Sequence, residues 1–99
     1  MEIDIGTEQV TAGFAVHVHV RPSARELNRL FLAGDTLIQL PLDGALTEPD
    51  GAPIPRTSIF LSELAGSRDG LVRVFADGAA AEAFAVAVRT QLETALEAS

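Results

Sequence analysis

Phe14-Ala15-Val16-His17-Val18-His19-Val20-Arg21-Pro22-Ser23-Ala24-Arg25-Glu26 contains a change of hydrophobic period, and that change decides the fold. Phe14, Val16, Val18 and Val20 recur every second residue, as a strand with one buried face requires, which leaves His17 and His19 on its other face. The interleaving of apolar and polar residues predicts a strand over Glu8 to Val20. Pro22 then presets a backbone angle suited to the start of a helix. Ser23 followed three residues later by Glu26 has the spacing of a capping box, and Leu27, Leu30 and Phe31 continue at helical spacing. The expected helix of about three turns ends at Ala33-Gly34-Asp35, where glycine supplies the left-handed stop.

Working outward, Thr36 to Leu42 is short and apolar and reads as a second strand. Asp43-Gly44 suits a turn, and Pro49, Gly51, Pro53 and Pro55 exclude a central strand, so about 43–56 is expected to be a Pro-rich exposed loop, with room for a short edge strand. Thr57 to Leu64 fits either a strand through Ile59-Phe60-Leu61 or a short helix opened by Ser58. Asp69-Gly70 signals a turn before the strand Leu71-Val72-Arg73-Val74-Phe75, which is read with Arg73 outward, and Asp77-Gly78 stops it. Ala79 to Ala98 carries Ala83, Phe84, Ala87, Val88, Gln91, Leu92 and Ala95 at helical spacing and is the longest expected helix. Helices segregated from a small antiparallel sheet make an α+β fold, with the helices on one face.

The chain has 99 residues, 47% of them hydrophobic and 21% charged, which is enough apolar material for one domain over 1–99 and argues against disorder. Its formal net charge of −7, from fourteen acidic and seven basic side chains, disfavours general nucleic-acid binding. Without cysteine there is neither a disulfide scaffold nor thiolate chemistry. The acidic start Met1-Glu2-Ile3-Asp4-Ile5 does not read as a signal peptide, and no apolar run approaches the roughly 20 residues that span a bilayer. A cytoplasmic protein with no membrane insertion is therefore expected.

His19-Val20-Arg21-Pro22-Ser23-Ala24 sets an imidazole and a guanidinium just ahead of the expected helix. Amide hydrogens of a first helical turn, together with the helix dipole, favour an anion there, and Arg21 would add a charge-assisted contact. Neutral imidazole is nucleophilic near neutral pH, so His19 is a candidate acceptor of a transferable phosphoryl group. Arg21, Arg25 and Arg29 recur every four residues as a stripe that is either a solvated face or a docking surface for an acidic partner. His17 and His19 share a strand face, but no Asp or Glu lies at a spacing that completes a metal site, so no metal and no cofactor is expected.

That six-residue run resembles the active-site sequence of the histidine-containing phosphocarrier (HPr) family, in which His, a small residue, Arg, Pro and small residues open the first helix. The resemblance extends through the helix Arg21 to Ala33, the strand near Ile38, and Asp69 to Gly78 with the final helix. Thr57-Ser58-Ile59-Phe60 looks like the family's second signature. The resemblance implies an open-faced β-sandwich with a four-stranded antiparallel sheet and three helices on one face, the middle helix running from Ser58 to Leu64. It also implies that His19 takes phosphate from enzyme I of the phosphoenolpyruvate-dependent sugar phosphotransferase system and passes it to IIA domains, that Arg21 steadies the group, and that the chain acts as a monomer. Ser58 would be the regulatory phosphorylation site, served by an HPr kinase/phosphorylase, and Ile59 and Phe60 would dock partners; Arg25, from the arginine stripe, is a further docking candidate. The sequence departs from the family at His17, where glycine is usual, and at Thr57, where a basic residue is usual. The first departure motivates a rival reading, an HPr-like regulatory or interaction module without phosphate turnover. A small acidic mimic of nucleic acid, resting on net charge alone, is a third.

Overall fold

Alternation begins earlier than Glu8. In the computed structural model, which describes residues 2–34, 36–46 and 56–97, the elements run β1 (Glu2–Val10), β2 (Gly13–Arg21), α1 (Ala24–Ala33), β3 (Leu37–Gln39), β4 (Ser58–Phe60), α2 (Leu61–Gly66), β5 (Leu71–Phe75) and α3 (Gly78–Glu97). The expected single strand from Glu8 to Val20 is instead a hairpin. β1 and β2 pair antiparallel along their whole length, from Glu2 opposite Arg21 to Val10 opposite Gly13, with Thr11 and Ala12 as the loop. Gly13 fits there for want of a side chain: a Cβ on it would stand 2.2 Å from the Phe75 carbonyl oxygen.

β2 is the central strand of an antiparallel sheet that, among the described residues, has three strands in the order β1-β2-β5, where four were expected. β3 and β4 make a separate two-stranded ladder, lengthened by Leu40 N–H donating to the Thr57 carbonyl at 2.8 Å and Leu61 N–H to the Thr36 carbonyl at 2.8 Å. The outer edge of β5 is partly met by Ala45, which bridges to Phe75, and by Leu46 N–H, which donates to the Val74 carbonyl at 2.7 Å. The coarse class, α+β with a small antiparallel sheet and helices, is the observed one. The Pro-rich stretch 47–55, and with it the expected short edge strand, lies outside the described residues.

Val16, Val18 and Val20 of β2 and Leu71 and Phe75 of β5 form one buried face of the sheet. α3 covers it with Ala81, Phe84, Val88 and Leu92, spaced three and four apart, and α2 adds Leu61 and Leu64. α1 leans on α2. The Phe75 and Phe84 rings meet at 5.2 Å between centroids, tilted by 44°. Each such buried ring is worth about 1.5 to 3 kcal/mol relative to exposure. A polar clamp joins the two layers: Gln39 N–H donates to Gln91 Oε1 at 2.7 Å, and Gln91 Nε2 donates to the Gln39 carbonyl at 2.8 Å.

Four local expectations change. Arg73 does not point outward: period two puts it with Leu71 and Phe75, opposite Val16, on the helix-covered face. Its Nη1 donates to the Val72 carbonyl at 2.8 Å while its Nε is buried without a hydrogen-bond partner. Ser58 does not open a helix, because Ser58–Phe60 is strand and α2 starts at Leu61, where Phe60 precedes it without a side-chain cap. Arg21 is the last residue of β2, so the arginines on α1 are Arg25 and Arg29 only. Asp77 starts α3 as well as ending β5, its Oδ1 accepting the Ala79 N–H at 2.9 Å.

Candidate functional site

Pairing with β1 fixes the face on which the histidines stand. His17 lies opposite Gly6 and His19 opposite Asp4, and both project, with Arg21, to the side of the sheet away from the valines. His19 is half-buried and sits inside β2, four residues ahead of Ser23, the N-cap of α1. On its other side the register one step beyond the Val18–Leu71 pair brings Gly70, whose φ of +71° and missing side chain make room for the ring. A Cβ at Gly70 would stand 2.8 Å from His19 Cδ2 and 3.0 Å from Nε2, so that edge of the imidazole lies against the glycine.

The predicted capping box is present in both directions. Ser23 Oγ accepts the Glu26 N–H at 3.2 Å and Glu26 Oε1 accepts the Ser23 N–H at 3.0 Å. Those two amides are therefore already used, the Glu26 N–H by the Ser23 hydroxyl and the Ser23 N–H by a carboxylate that itself complements the helix dipole. The expected anion seat on the first turn of α1 is to that extent occupied from within the chain.

A different source of positive charge stands nearby. His19, Arg21 and Arg68 line one cleft of about 420 Å³, with Pro22, Leu27 and Ala65 as its apolar wall. Arg21 is 3.8 Å from Glu2 across the hairpin, both side chains largely exposed, which makes a weak pair. Arg68 has no carboxylate partner among the described residues, and its loop is tied at both ends, by Ser67 N–H to the Leu64 carbonyl at 3.2 Å and by Ser67 Oγ to the Gly70 carbonyl at 3.2 Å. Sequence reading missed Arg68 because the register of β2 with β5, not spacing along the chain, brings residue 68 to residue 19.

His19 also borders a second, shallower cleft of about 320 Å³ with Asp4, Gly6, Thr7, Glu8 and His17. Here His17 Nε2 is 3.4 Å from Glu8 Oε2. β1 thus brings carboxylates to the two histidines, which sequence spacing did not foresee, yet among the described residues no group of three His, Asp or Glu is placed to hold a metal ion.

The remaining predicted residues separate. Ile59 is 7% exposed and belongs to the core, so it cannot touch a partner as expected; Phe60, its neighbour on the opposite face of β4, is 48% exposed. Phe60 pairs with Leu37, itself exposed, across the β3–β4 ladder. Half-buried Ser58 lines a small groove with Arg56 and Glu63. Those two form a bidentate pair at 2.6 and 3.1 Å, and the Glu63 hydrogen bond and charge hold the Arg56 guanidinium above its ordinary pKa. Arg25 is exposed in the first turn of α1 and makes no ion pair among the described residues. No described helix is long and apolar enough to cross a membrane. Neither a protein-family model, nor a curated protein, nor a solved structure matches this chain.

Proposed function

We propose that the chain is a reversible phosphoryl carrier with His19 as acceptor, taking the group from enzyme I and giving it to IIA domains of the sugar phosphotransferase system. The observation that carries the reading is that His19, Arg21 and Arg68 line a single cleft in an acidic protein. Guanidiniums match phosphoryl oxygens in geometry and charge, and here they take over the task that the capping box denies to the α1 amides. One ring nitrogen of neutral His19 is the attacking atom. Its lone pair forms the P–N bond as the donor's bond to phosphorus breaks, the breaking bond's electrons leave with the donor, and the ring keeps its other proton as imidazolium. Return of the group to an acceptor reverses each change. Modification of Ser58 by an HPr kinase/phosphorylase belongs to the same proposal, with the Arg56–Glu63 pair beside it.

The test uses two donors, phosphoenolpyruvate with enzyme I and, free of any partner, phosphoramidate. Mass spectrometry is expected to find one acid-labile phosphoryl group on the wild type and on His17→Ala, and none on His19→Ala. A chain that takes no label from either donor, or one still labelled after His19→Ala, overturns the reading.

The exposed Phe60–Leu37 pair favours a second reading, a docking module that binds partners without phosphate turnover. Capture of a partner by the wild type and His19→Ala with equal affinity, and its loss on Phe60→Ser, would select that module.

A further inference from the structure

We propose that the free edge of β1 is a docking site for an extended segment bearing lysine or arginine at every second position, which adds to the sheet as a further strand. β1 is an edge strand of the three-stranded sheet, nine residues long, while the other edge, β5, is partly met by Ala45 and Leu46. A two-residue loop makes its closing pair, Val10 and Gly13, a hydrogen-bonded one. The even-numbered residues of β1 therefore bond to β2, and Ile3, Ile5, Thr7 and Gln9 turn their N–H and C=O groups outward. A full-length partner strand and α3 beneath hold this edge in extended form before anything binds, so little ordering is left to oppose docking.

Charge selects the occupant. Glu2, Asp4 and Glu8 share the open face of β1, and Gly6 between them would meet nothing within 4 Å of an added Cβ. The cationic or protonatable groups facing them, Arg21, His19 and His17, lie one strand inward. Glu2 and Glu8 are 70% and 68% exposed in spite of their contacts with Arg21 and His17, and Asp4 makes no ion pair among the described residues. A strand laid on the outer edge would set its alternate side chains about 5 Å from these carboxylates, where opposite charges attract. A second copy of β1 fits badly. Antiparallel pairing about Gly6 opposes Asp4 to Glu8 twice, and parallel pairing in register opposes each acid to itself. The stretch 47–55 is also a poor occupant, since the chain enters it from Leu46, bonded to the far side of β5, and leaves it at Arg56 beside α2.

The experiment titrates the isotopically labelled chain with a synthetic peptide alternating lysine and valine, and with its glutamate–valine counterpart. The expected result is a set of amide shifts and slowed exchange centred on Ile3, Ile5, Thr7 and Gln9, for the lysine peptide alone. Thr7→Pro removes an outward N–H and should weaken binding at least about tenfold. The double variant Asp4→Lys/Glu8→Lys leaves the backbone intact and should weaken it as much, so the outcome does not depend on tolerance of the proline. Shifts spread over other acidic surfaces, equal binding of the two peptides, or undiminished binding by the double variant would overturn the proposal. So would a dimer formed through β1 without peptide, which would make the second copy the occupant.

Discussion

The imidazole of His19 lies against the backbone of Gly70, close enough that a Cβ at that position would stand 2.8 Å from Cδ2 of the ring and 2.3 Å from the Val18 carbonyl oxygen. Backbone on one side cannot yield as a flexible side chain would, and the φ of +71° adds a left-handed penalty of about 1 kcal/mol or more for any L side chain. Gly70→Ala is therefore expected to destabilise the fold by at least about 2 kcal/mol and to shift the ring resonances of His19. Gly66→Ala is the control: nothing lies within 4 Å of its Cβ, φ is not positive, and it ends α2, so it should be neutral or stabilising by up to about 1 kcal/mol. Chemical denaturation of the two variants, with the histidine spectra, checks both halves.

Arg21 and Arg68 reach the same cleft from different elements, one from the end of β2 and the other from the loop before β5. Inorganic phosphate should accordingly perturb the amides around His19, and Arg68→Gln or Arg21→Gln should each lower its affinity about fivefold, or roughly 1 kcal/mol, with a shallower salt dependence. Arg89→Gln, whose residue pairs with Glu93 on α3 at 4.0 Å, should leave phosphate binding unchanged. An equal loss in all three variants would mean that phosphate senses net charge and not the cleft.

How far the sequence spoke depended on whether a feature was local. The capping box at Ser23 and Glu26, the buried stripe of α3 and the valine face of β2 were legible because each is set by residues three, four or two apart. The β1–β2 hairpin was hidden because Thr11-Ala12 carries none of the usual turn residues and the requirement for Gly13 comes from Phe75, far along the chain. Ser58-Ile59-Phe60 satisfied both periods, and its pairing with Leu37-Ile38-Gln39 decided for strand. At the candidate site, His19 and Arg21 could be named from their own stretch. Asp4, Gly70 and Arg68, which surround them, come from strand register that no single segment encodes.

Gln91 holds β3 to α3 through both polar atoms of its amide, one accepting the Gln39 N–H and the other donating to the Gln39 carbonyl. Both Gln39 groups lie at an exposed place, so water replaces the lost bonds in Gln91→Ala and the expected cost is only about 1 kcal/mol. Hydrogen exchange should nevertheless quicken selectively at Gln39 and across the short β3–β4 ladder, which has three residue pairs to hold it. Uniform acceleration over β2 and β5 as well would show that the clamp supports the whole sheet.

The two bonds of the capping box are expected to behave as one unit. α1 has ten residues, too few for a stable isolated helix, and leans on α2, so its first turn depends on Ser23 and Glu26. Ser23→Ala removes the acceptor for the Glu26 N–H and should cost about 1 kcal/mol. Glu26→Ala releases the Ser23 N–H and removes a carboxylate that complements the helix dipole, and should destabilise the helix as well. In the double variant the losses should sum to less than the two singles, because each bond positions the other's donor. The same variants bear on the anion reading: freeing the Ser23 amide and removing the Glu26 charge should tighten phosphate binding near His19 even as the helix weakens. Tighter binding in Glu26→Ala than in the wild type, measured by amide titration at a temperature where both are folded, is the outcome expected. Unchanged affinity would place phosphate on the guanidiniums alone.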